Sequence, residues 1–417
     1  MALFSLSLLV LAIMLGFFRK MNAGLICIGF SLILAKVAGI PEKAVIAGFN
    51  YSLFLTLLGV TYLFSLAQNN GTLKLIAMKV VALAGKRTYL VPVYIFVFST
   101  ILSAIGPGCI PTMAIMMVFA MTLAAELNIH PAMLSAIVVL SASGGGVSPI
   151  APTGIIAINA CAAAGMTQDV GIPFLINGVA SAAVYSAAIY IFFGGYKIKS
   201  VDSEAMKVKE NFNTKQLITI AGIAAMIVMV MLFKYNVGLV SFLVAAALSA
   251  LNVADENEAL KKVPWGTLIL VGGVSVLINL ITKLGGIKML SAALASIMTP
   301  STATAMVSLS AGLLSWVSST SGVVMPTLIP TIPGIVEAMH GAVDPVEMAT
   351  ALSMVSHTGG ISPLSTGGGL ALAAYTSAAQ SSAEEQSKLF VTMFAVSAAG
   401  VAFLSFMAYL GLFRWFI

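Results

Sequence analysis

The residues best suited to binding chemistry lie in two segments rich in glycine and hydroxyl side chains, residues 141–153 and residues 356–369. Each interrupts a long apolar run and carries a Gly-Gly-x-Ser-Pro motif, starting at Gly145 in the first segment and at Gly359 in the second. We call the separation between Gly145 and Gly359 the repeat offset. Consecutive glycines and prolines disfavour a continuous helix, so we expect both segments to break their helices. Backbone N–H groups freed at such a break suit an anion, and carbonyl and hydroxyl oxygens suit Na⁺.

Two shorter interruptions lie upstream of these motifs, at Gly106-Pro107-Gly108 and at residues 318–322. Each separates two apolar stretches that are short for crossing a bilayer alone. We interpret them as the tips of re-entrant hairpins. Paired interruptions in corresponding hydrophobic segments indicate the binding site of a transporter, so tips and breaks are expected to converge at the membrane midplane.

The composition indicates that most of the chain is surrounded by lipid. It has 417 residues, of which 60% are hydrophobic and 8% are charged, with a mean hydropathy of +1.07. A soluble domain carries about 25% charged residues, so the sequence predicts an all-α polytopic membrane protein. The net charge of +6 is better explained by orientation in the bilayer than by nucleic-acid binding. The three cysteines show no metal-ligand spacing and are interpreted as small packing residues.

The interruptions divide the chain into two predicted repeats, each with five spans and one hairpin. Repeat 1 covers residues 1–195, with three spans, an inner hairpin at 89–127, a broken helix at 131–164 and a span to 193. A polar cytoplasmic linker follows at 196–215. Repeat 2 covers residues 216–417, with three spans, an outer hairpin at 303–338, a broken helix at 346–380 and a last span at 390–412.

Five crossings per repeat are an odd number, so the second repeat must enter the membrane from the opposite face, as inverted-topology repeats do. With both chain termini outside, fourteen of the 20 Lys and Arg residues lie on the cytoplasmic side. The positive-inside rule favours this orientation over the reverse one.

The charged and titratable residues help to choose between Na⁺ and a proton as the coupling ion. The four irregular segments contain no Asp, Glu or Arg, and His357 is their one titratable candidate. A proton-coupled carrier usually buries a titratable relay, so an oxygen-lined site without carboxylates favours Na⁺ that neutralises an anionic substrate. A proton-coupled or exchange carrier in which His357 titrates remains the alternative. Enzyme activity is not expected, because no nucleophile–base pair, nucleotide loop or metal cluster appears, and no cofactor is expected apart from Na⁺ as the coupling ion.

Three stretches carry a family resemblance: FLTLLGVTYLFSLAQNNGT at residues 54–72, the Gly106-Pro107 tip, and GGVSPI at residues 145–150. They resemble the dicarboxylate carrier MatC family, whose name-giver is associated with malonate uptake. That family belongs to the ion transporter superfamily, which also holds the divalent anion sodium symporters. The resemblance implies sodium symport of a small dicarboxylate, malonate or a C4 acid. It also implies a homodimer in the bacterial cytoplasmic membrane, with a scaffold and an elevator-type transport domain.

The resemblance also suggests roles by position, although the tips here read Gly-Pro-Gly and Ser-Ser-Thr where sodium symporters of this kind carry Ser-Asn-Thr. Sodium is expected at Ser103, Gly106, Ser143 and Gly145, and at Ser315, Ser318, Thr358 and Gly359. Substrate is expected at Pro107, Gly108, Gly146, Ser148, Thr153, Ser319, Thr320, His357, Gly360, Ser362 and Thr366. Gly145 and Gly146 are expected to expose their backbone to ligand. A further alternative is the membrane subunit of a binding-protein-dependent (TRAP-like) transporter, which would need a soluble partner.

Overall fold

The computed structural model describes residues 1–82, 87–198, 210–379 and 382–416. Every regular element in these ranges is helical. Seven of the described helical segments are long and apolar enough to cross a membrane by length and composition. The prediction of an all-α polytopic membrane protein is confirmed. The linker predicted at 196–215 lies mostly outside the described residues.

The elements of the first part of the chain are α1 (Ala2–Arg19), α2 (Ala23–Ala38), α3 (Glu42–Ile46), α4 (Tyr51–Asn69), α5 (Thr72–Ala82), α6 (Val91–Ala104), α7 (Cys109–Glu126), α8 (Pro131–Gly146), α9 (Pro152–Ala163) and α10 (Gly171–Phe192). Those of the second part are α11 (Thr214–Phe233), α12 (Val237–Ala250), α13 (Glu256–Lys262), α14 (Trp265–Lys283), α15 (Gly286–Ala295), α16 (Ala303–Ser315), α17 (Met325–Leu328), α18 (Ile332–Ala338), α19 (Pro345–Gly359), α20 (Thr366–Ala379) and α21 (Ala383–Tyr409).

Several helix starts recur at the repeat offset, because the local start signals recur. Asn22 caps α2 by accepting a hydrogen bond from Gly24 N, and Asn236 caps α12 by accepting one from Leu239 N. The starts of α4 and α14, at Tyr51 and Trp265, are also separated by the repeat offset. A capping side chain satisfies an N–H group that the first helical turn leaves free, so each cap fixes the position of its helix.

Two close helix crossings follow the same offset. α2 packs against α14, and α4 packs against α12. A Cβ atom on Gly24 or Gly273 would overlap the backbone of the opposite helix in the first pair, and one on Gly59 or Gly238 would do so in the second. The repeat offset relates Gly24 to Gly238 and Gly59 to Gly273. Small residues let membrane helices approach closely, so two equivalent glycine contacts hold these four helices together.

Each hairpin packs against the broken helix that follows it. α6 and α7 contact α8, while α16 and the arm after it contact α19. The second arm of the second hairpin is irregular, with a π-helical turn at Thr320–Val324 and a 3-10 turn at Ile329–Thr331. Its three prolines explain this irregularity, because each lacks the N–H group that a regular helix would pair.

The break predicted within residues 141–153 is present at residues 147–151. Glycines 144–146 form the last turn of α8 before it, because their missing side chains allow close packing on neighbouring helices. α4 begins at Tyr51, because Asn50 caps it through Leu53 N. The last span begins at Ala383 and not at residue 390, because Ser382 and Glu385 form a capping box there.

Candidate functional site

The first hairpin tip meets the start of α9. Gly106 and Gly108 have φ values of 143° and 77°, which glycine adopts far more readily than other residues. A Cβ atom on Gly106 would overlap the Phe64 ring, and one on Gly108 would lie 2.8 Å from Pro152 Cδ. The tip therefore turns sharply between α4 and α9.

The next residue, Cys109, joins the tip to two broken-helix segments. Its Sγ atom lies 3.3 Å from Thr153 Oγ1, at the start of α9. The same thiol lies beside the hydroxyls of Ser103 and Ser143. The sequence analysis interpreted Cys109 as a packing residue and did not predict that its thiol would lie next to three hydroxyl groups.

The first hairpin also contacts the end of α8. Ser103 Oγ donates a hydrogen bond of 2.6 Å to Ala142 O. The buried Ser143 hydroxyl has no hydrogen-bond partner among the described residues. A Cβ atom on Gly145 would overlap Thr100 O, and one on Gly146 would overlap Cys109 Sγ. In this conformation both glycines serve close packing between α8 and the hairpin.

The second hairpin repeats the carbonyl contact with a different hydroxyl. Thr320 Oγ1 donates a hydrogen bond of 3.0 Å to Ser356 O, and lies 2.8 Å from Ser315 Oγ. The repeat offset relates Ser356 to Ala142, so equivalent carbonyls of α19 and α8 accept a hydroxyl from the facing hairpin. Ser319 Oγ caps the π-helical turn through Gly322 N at 3.1 Å, while the Ser318 hydroxyl is buried without a described partner.

The carbonyls at the end of α19 have a partner that the sequence did not reveal. Ser397 Oγ of α21 lies 3.2 Å from both Thr358 O and Gly359 O. Trp316 Nε1 donates to Ser397 Oγ at 3.0 Å. The repeat offset relates Trp316 to Leu102 and Ser397 to Ala183, and neither of these first-half side chains can form this brace. The two halves therefore differ in how their broken helices are held.

The remaining predicted residues of the two breaks mostly contact their own segment. His357 is 7% exposed, and its Nδ1 lies 2.7 Å from Ser353 O. Ser148 Oγ accepts from Ile150 N, and Ser362 Oγ accepts from Leu364 N. Gly360 N donates to His357 O. These hydroxyls shape the breaks, whereas the hydroxyls of the hairpins bridge to other helices.

A small central cavity of about 30 Å³ lies where both hairpins meet α4, α9 and α14. Its polar lining comes from five elements: Thr61, Cys109, Thr153, Thr267 and Ser321. Pro107, at the first tip, also lines it. This volume holds about one or two water molecules, so a larger ligand requires the helices to move apart.

Two larger cavities of about 680 Å³ each flank the central one. The Lys20 cavity is lined by Lys20, Ser318, Ser319 and Thr366, and so brings three predicted site residues to one wall. The Lys283 cavity is lined by the start of α4, by α9, by the outer part of α14 and by the prolines of the second hairpin. Neither wall carries an Asp or Glu among the described residues.

The comparisons with known proteins agree with a carrier. Residues 1–146 match the family model described as "Dicarboxylate carrier protein MatC N-terminus". The resemblance to the MatC family is confirmed over these residues. The YdaH transporter of Alcanivorax borkumensis has a similar fold, with a TM-score of 0.61 and 11% sequence identity over 89% of this chain and 87% of that one. The comparison with curated protein sequences gave no match.

The chain is therefore a multi-pass membrane transport protein and not an enzyme. Within this carrier, the structure brings Pro107, Thr153 and Cys109 to the central cavity, and brings Ser318, Ser319 and Thr366 to the Lys20 cavity. Thr61 and Thr267 were missed by sequence reasoning, because their only sequence signal is a hydroxyl within an apolar stretch, and such a residue usually bonds its own helix. Ser321 lies in the predicted tip at 318–322 but was given no role there.

Proposed function

We propose that this protein is a secondary active carrier that imports a small dicarboxylate, malonate or a C4 acid, together with Na⁺. The observation that carries the proposal is the convergence of two helix N-termini, those of α7 and α9, on a small cavity that is mostly apolar, carries a few hydroxyl groups and is closed by the second hairpin. Helix N-termini present free N–H groups and a partial positive charge, so they stabilise a carboxylate without a cationic side chain.

The lining of the central cavity fits this chemistry. Its described residues include no Lys, Arg, Asp or Glu. An anion there would be bound by N–H groups at Cys109 and Thr153 and by the hydroxyls of Thr61 and Thr267. Because two carboxylates carry two negative charges, bound Na⁺ would offset the charge that these dipoles leave.

Oxygen atoms next to the cavity supply the proposed cation sites. In the first half, Ser103 and Ser143 would bind Na⁺ with backbone oxygens near Gly106 and Gly145. The buried Ser143 hydroxyl supports this assignment, because the Cys109 thiol beside it is only a weak hydrogen-bond partner and a bound ion would satisfy it better. In the second half, we propose a site at Ser315, Ser318, Thr358 and Gly359.

The helix order supports a mechanism for this carrier. We propose two inverted repeats, because helix starts, caps and glycine contacts recur at the repeat offset. The hairpins and broken helices would form an elevator-type transport domain that moves against a scaffold containing α2, α4, α12 and α14. We further propose a homodimer in the bacterial cytoplasmic membrane with both termini outside.

The test is uptake by the purified protein in liposomes, with no soluble binding protein added. Labelled malonate or succinate should accumulate with an inward Na⁺ gradient and should not accumulate when choline replaces Na⁺. Uptake that is equal in choline would refute sodium coupling. Uptake that appears only after a soluble binding protein is added would favour the TRAP-like alternative.

A second experiment locates the substrate. A protein with Cys27→Ala and Cys161→Ala retains Cys109 as its single thiol. We expect dicarboxylate with Na⁺ to slow alkylation of Cys109 by N-ethylmaleimide, because the thiol lines the central cavity. A monocarboxylate of similar size serves as the control. Equal alkylation rates with and without dicarboxylate would place the substrate elsewhere.

The proton-coupled alternative has one specific observation in its favour. His357 Nδ1 lies 2.7 Å from Ser353 O, which leaves Nε2 as the ring nitrogen that could exchange a proton. If this ring carries the coupled proton, His357→Asn should abolish the pH dependence of uptake. If Na⁺ is the coupling ion, the variant should retain both Na⁺ dependence and its response to pH.

A further inference from the structure

The Lys283 cavity has an unusual wall for a membrane-spanning helix. α14 carries Ser275, Asn279 and Thr282 at spacings of four and three, which place them on one helical face, and Lys283 follows as its last residue. All four line the cavity. Polar groups inside a bilayer are tolerated where they face protein or water, so this face marks a hydrated space between α14 and the second hairpin.

The polar groups of this wall are not all satisfied within α14. Ser275 Oγ donates to Gly272 O at 2.7 Å, and Thr282 Oγ1 donates to Ile278 O at 2.8 Å. The Asn279 Oδ1 atom is buried without a described partner, so the amide group of this side chain is not fully satisfied within the protein. Asn50, whose backbone N–H donates to Ser275 Oγ at 3.4 Å, uses Oδ1 to cap α4 through Leu53 N, which leaves its Nδ2 group for another acceptor.

Lys283 adds a full positive charge to these amide donors. It ends α14 and forms no ion pair with a described residue, unlike Lys36, which is paired with Glu42. No acidic residue is among the described residues that line the cavity. One ammonium group and two amide groups that line the same cavity form a donor set suited to carboxylates, because a carboxylate accepts charge-assisted hydrogen bonds at both oxygens.

The same face of α14 continues towards the central cavity. Thr267 and Leu268 line the central cavity, and Val271 lines the Lys283 cavity further along the helix. The distance from Thr267 to Lys283 along the axis is about 24 Å at about 1.5 Å per residue. One helix face therefore connects both spaces.

We propose that the Lys283 cavity is a separate entry site for the substrate, in which Lys283, Asn279 and Asn50 bind a carboxylate before it reaches the central cavity. This inference rests on the proposed function and adds a second binding step to it. In the proposed orientation the cavity opens to the outer face, where Lys283 also attracts the dianion from solution. The positive charge of Lys283 at the C-terminus of α14 also stabilises this helix through its dipole. The test must therefore separate substrate binding from helix stabilisation.

The test compares Lys283→Gln with Lys288→Gln in intact cells. Lys288 is also exposed, lies on α15 and does not line the cavity, so it is a matched control for surface charge. Initial uptake rates are measured against dicarboxylate concentration at low and high ionic strength, with constant Na⁺ and osmolarity. We expect Lys283→Gln to raise KM about two- to fivefold at low ionic strength, with an unchanged maximal rate. High salt should reduce this difference.

A second variant tests the uncharged donor. Asn279→Leu should raise KM at both ionic strengths, because salt screens a charge far more than a short hydrogen bond. A structural role of Lys283 alone would lower protein stability or the maximal rate without this salt-dependent change in KM. Equal shifts in Lys283→Gln and Lys288→Gln, or an unchanged KM in both Lys283→Gln and Asn279→Leu, overturn the entry site alone. Absence of dicarboxylate uptake by the unsubstituted protein overturns the proposed function and this inference together.

Discussion

Replacing Gly146 with alanine tests the contact between α8 and the first hairpin. The added Cβ atom would overlap Cys109 Sγ and would lie 2.9 Å from Ser103 Oγ and 3.1 Å from Cys109 N. Inserting one methyl group into such a packed contact costs about 1–3 kcal/mol. Alanine also favours a helix over glycine by about 1 kcal/mol, which offsets part of the loss. We therefore expect Gly146→Ala to destabilise the protein by up to about 2 kcal/mol.

A matched variant separates the two contributions. Gly29 also lies within a helix, α2, and a Cβ atom there would meet no atom within 4 Å. Gly29→Ala should show only the gain in helix propensity, so the difference between the two variants measures the clash at about 1–3 kcal/mol. The apparent melting temperature of the ligand-free protein in detergent gives the order of the variants.

Removing the sulfur atom checks the assigned cause. In the Gly146→Ala background, Cys109→Ala should restore part of the lost stability, with a coupling energy of at least about 0.5 kcal/mol. Recovery should be incomplete, because Ser103 Oγ and Cys109 N remain close. The packing argument is refuted if Gly146→Ala melts at the same temperature as Gly29→Ala, or if Cys109→Ala gives no recovery.

Three further predictions concern the site and its support. Thr153→Val should raise the KM for dicarboxylate about tenfold or more, because a hydrogen bond to a charged group contributes about 1.5–3 kcal/mol. Thr153→Ser keeps the hydroxyl and should not raise it. Similar KM values in both variants would show that Thr153 does not bind the substrate. Ser143→Ala should raise the Na⁺ concentration needed for half-maximal uptake. Ser141→Ala should not, because Ser141 Oγ donates to Ile137 O in its own helix. The same dependence of uptake on Na⁺ concentration in both variants would argue against the first cation site. Arg414→Gln should lower the stability by about 1–2 kcal/mol, because it removes the ion-pair partner of Glu347, whose side chain is only 1% exposed. The loss is limited because the Arg414 side chain is 57% exposed and its charge is screened by solvent. Adding Glu347→Gln should recover part of this stability in a thermal melt, and a further loss would contradict the ion-pair argument.

Much of the fold could be predicted from the sequence because its signals are local. Long apolar runs require helices in a bilayer, since each backbone group must find its partner within the segment. Caps such as Asn22 and Asn236 set where helices begin. The boundaries that sequence reasoning missed depend on less obvious local contacts, such as the capping box of Ser382 and Glu385.

The glycine motif shows what local reasoning leaves open. The break predicted within residues 141–153 is present, but it begins after glycines 144–146, which are helical. Their lack of side chains allows α8 to approach α6, α7 and α10, and this packing offsets the intrinsic preference against glycine in a helix. Sequence alone gives the backbone preference but not the neighbour that the glycine accommodates.

The sequence by itself determined the class of protein, the helical segments and the positions of the irregular segments, because hydropathy and turn chemistry act over a few neighbouring residues. Only the tertiary structure decided which hydroxyls face which carbonyls. Ser103 bonds Ala142 across 39 residues, and Ser397 reaches Thr358 across another 39. Such contacts depend on how whole helices cross, so no local pattern encodes that Ser148 contacts its own break while Thr320 bridges to another helix.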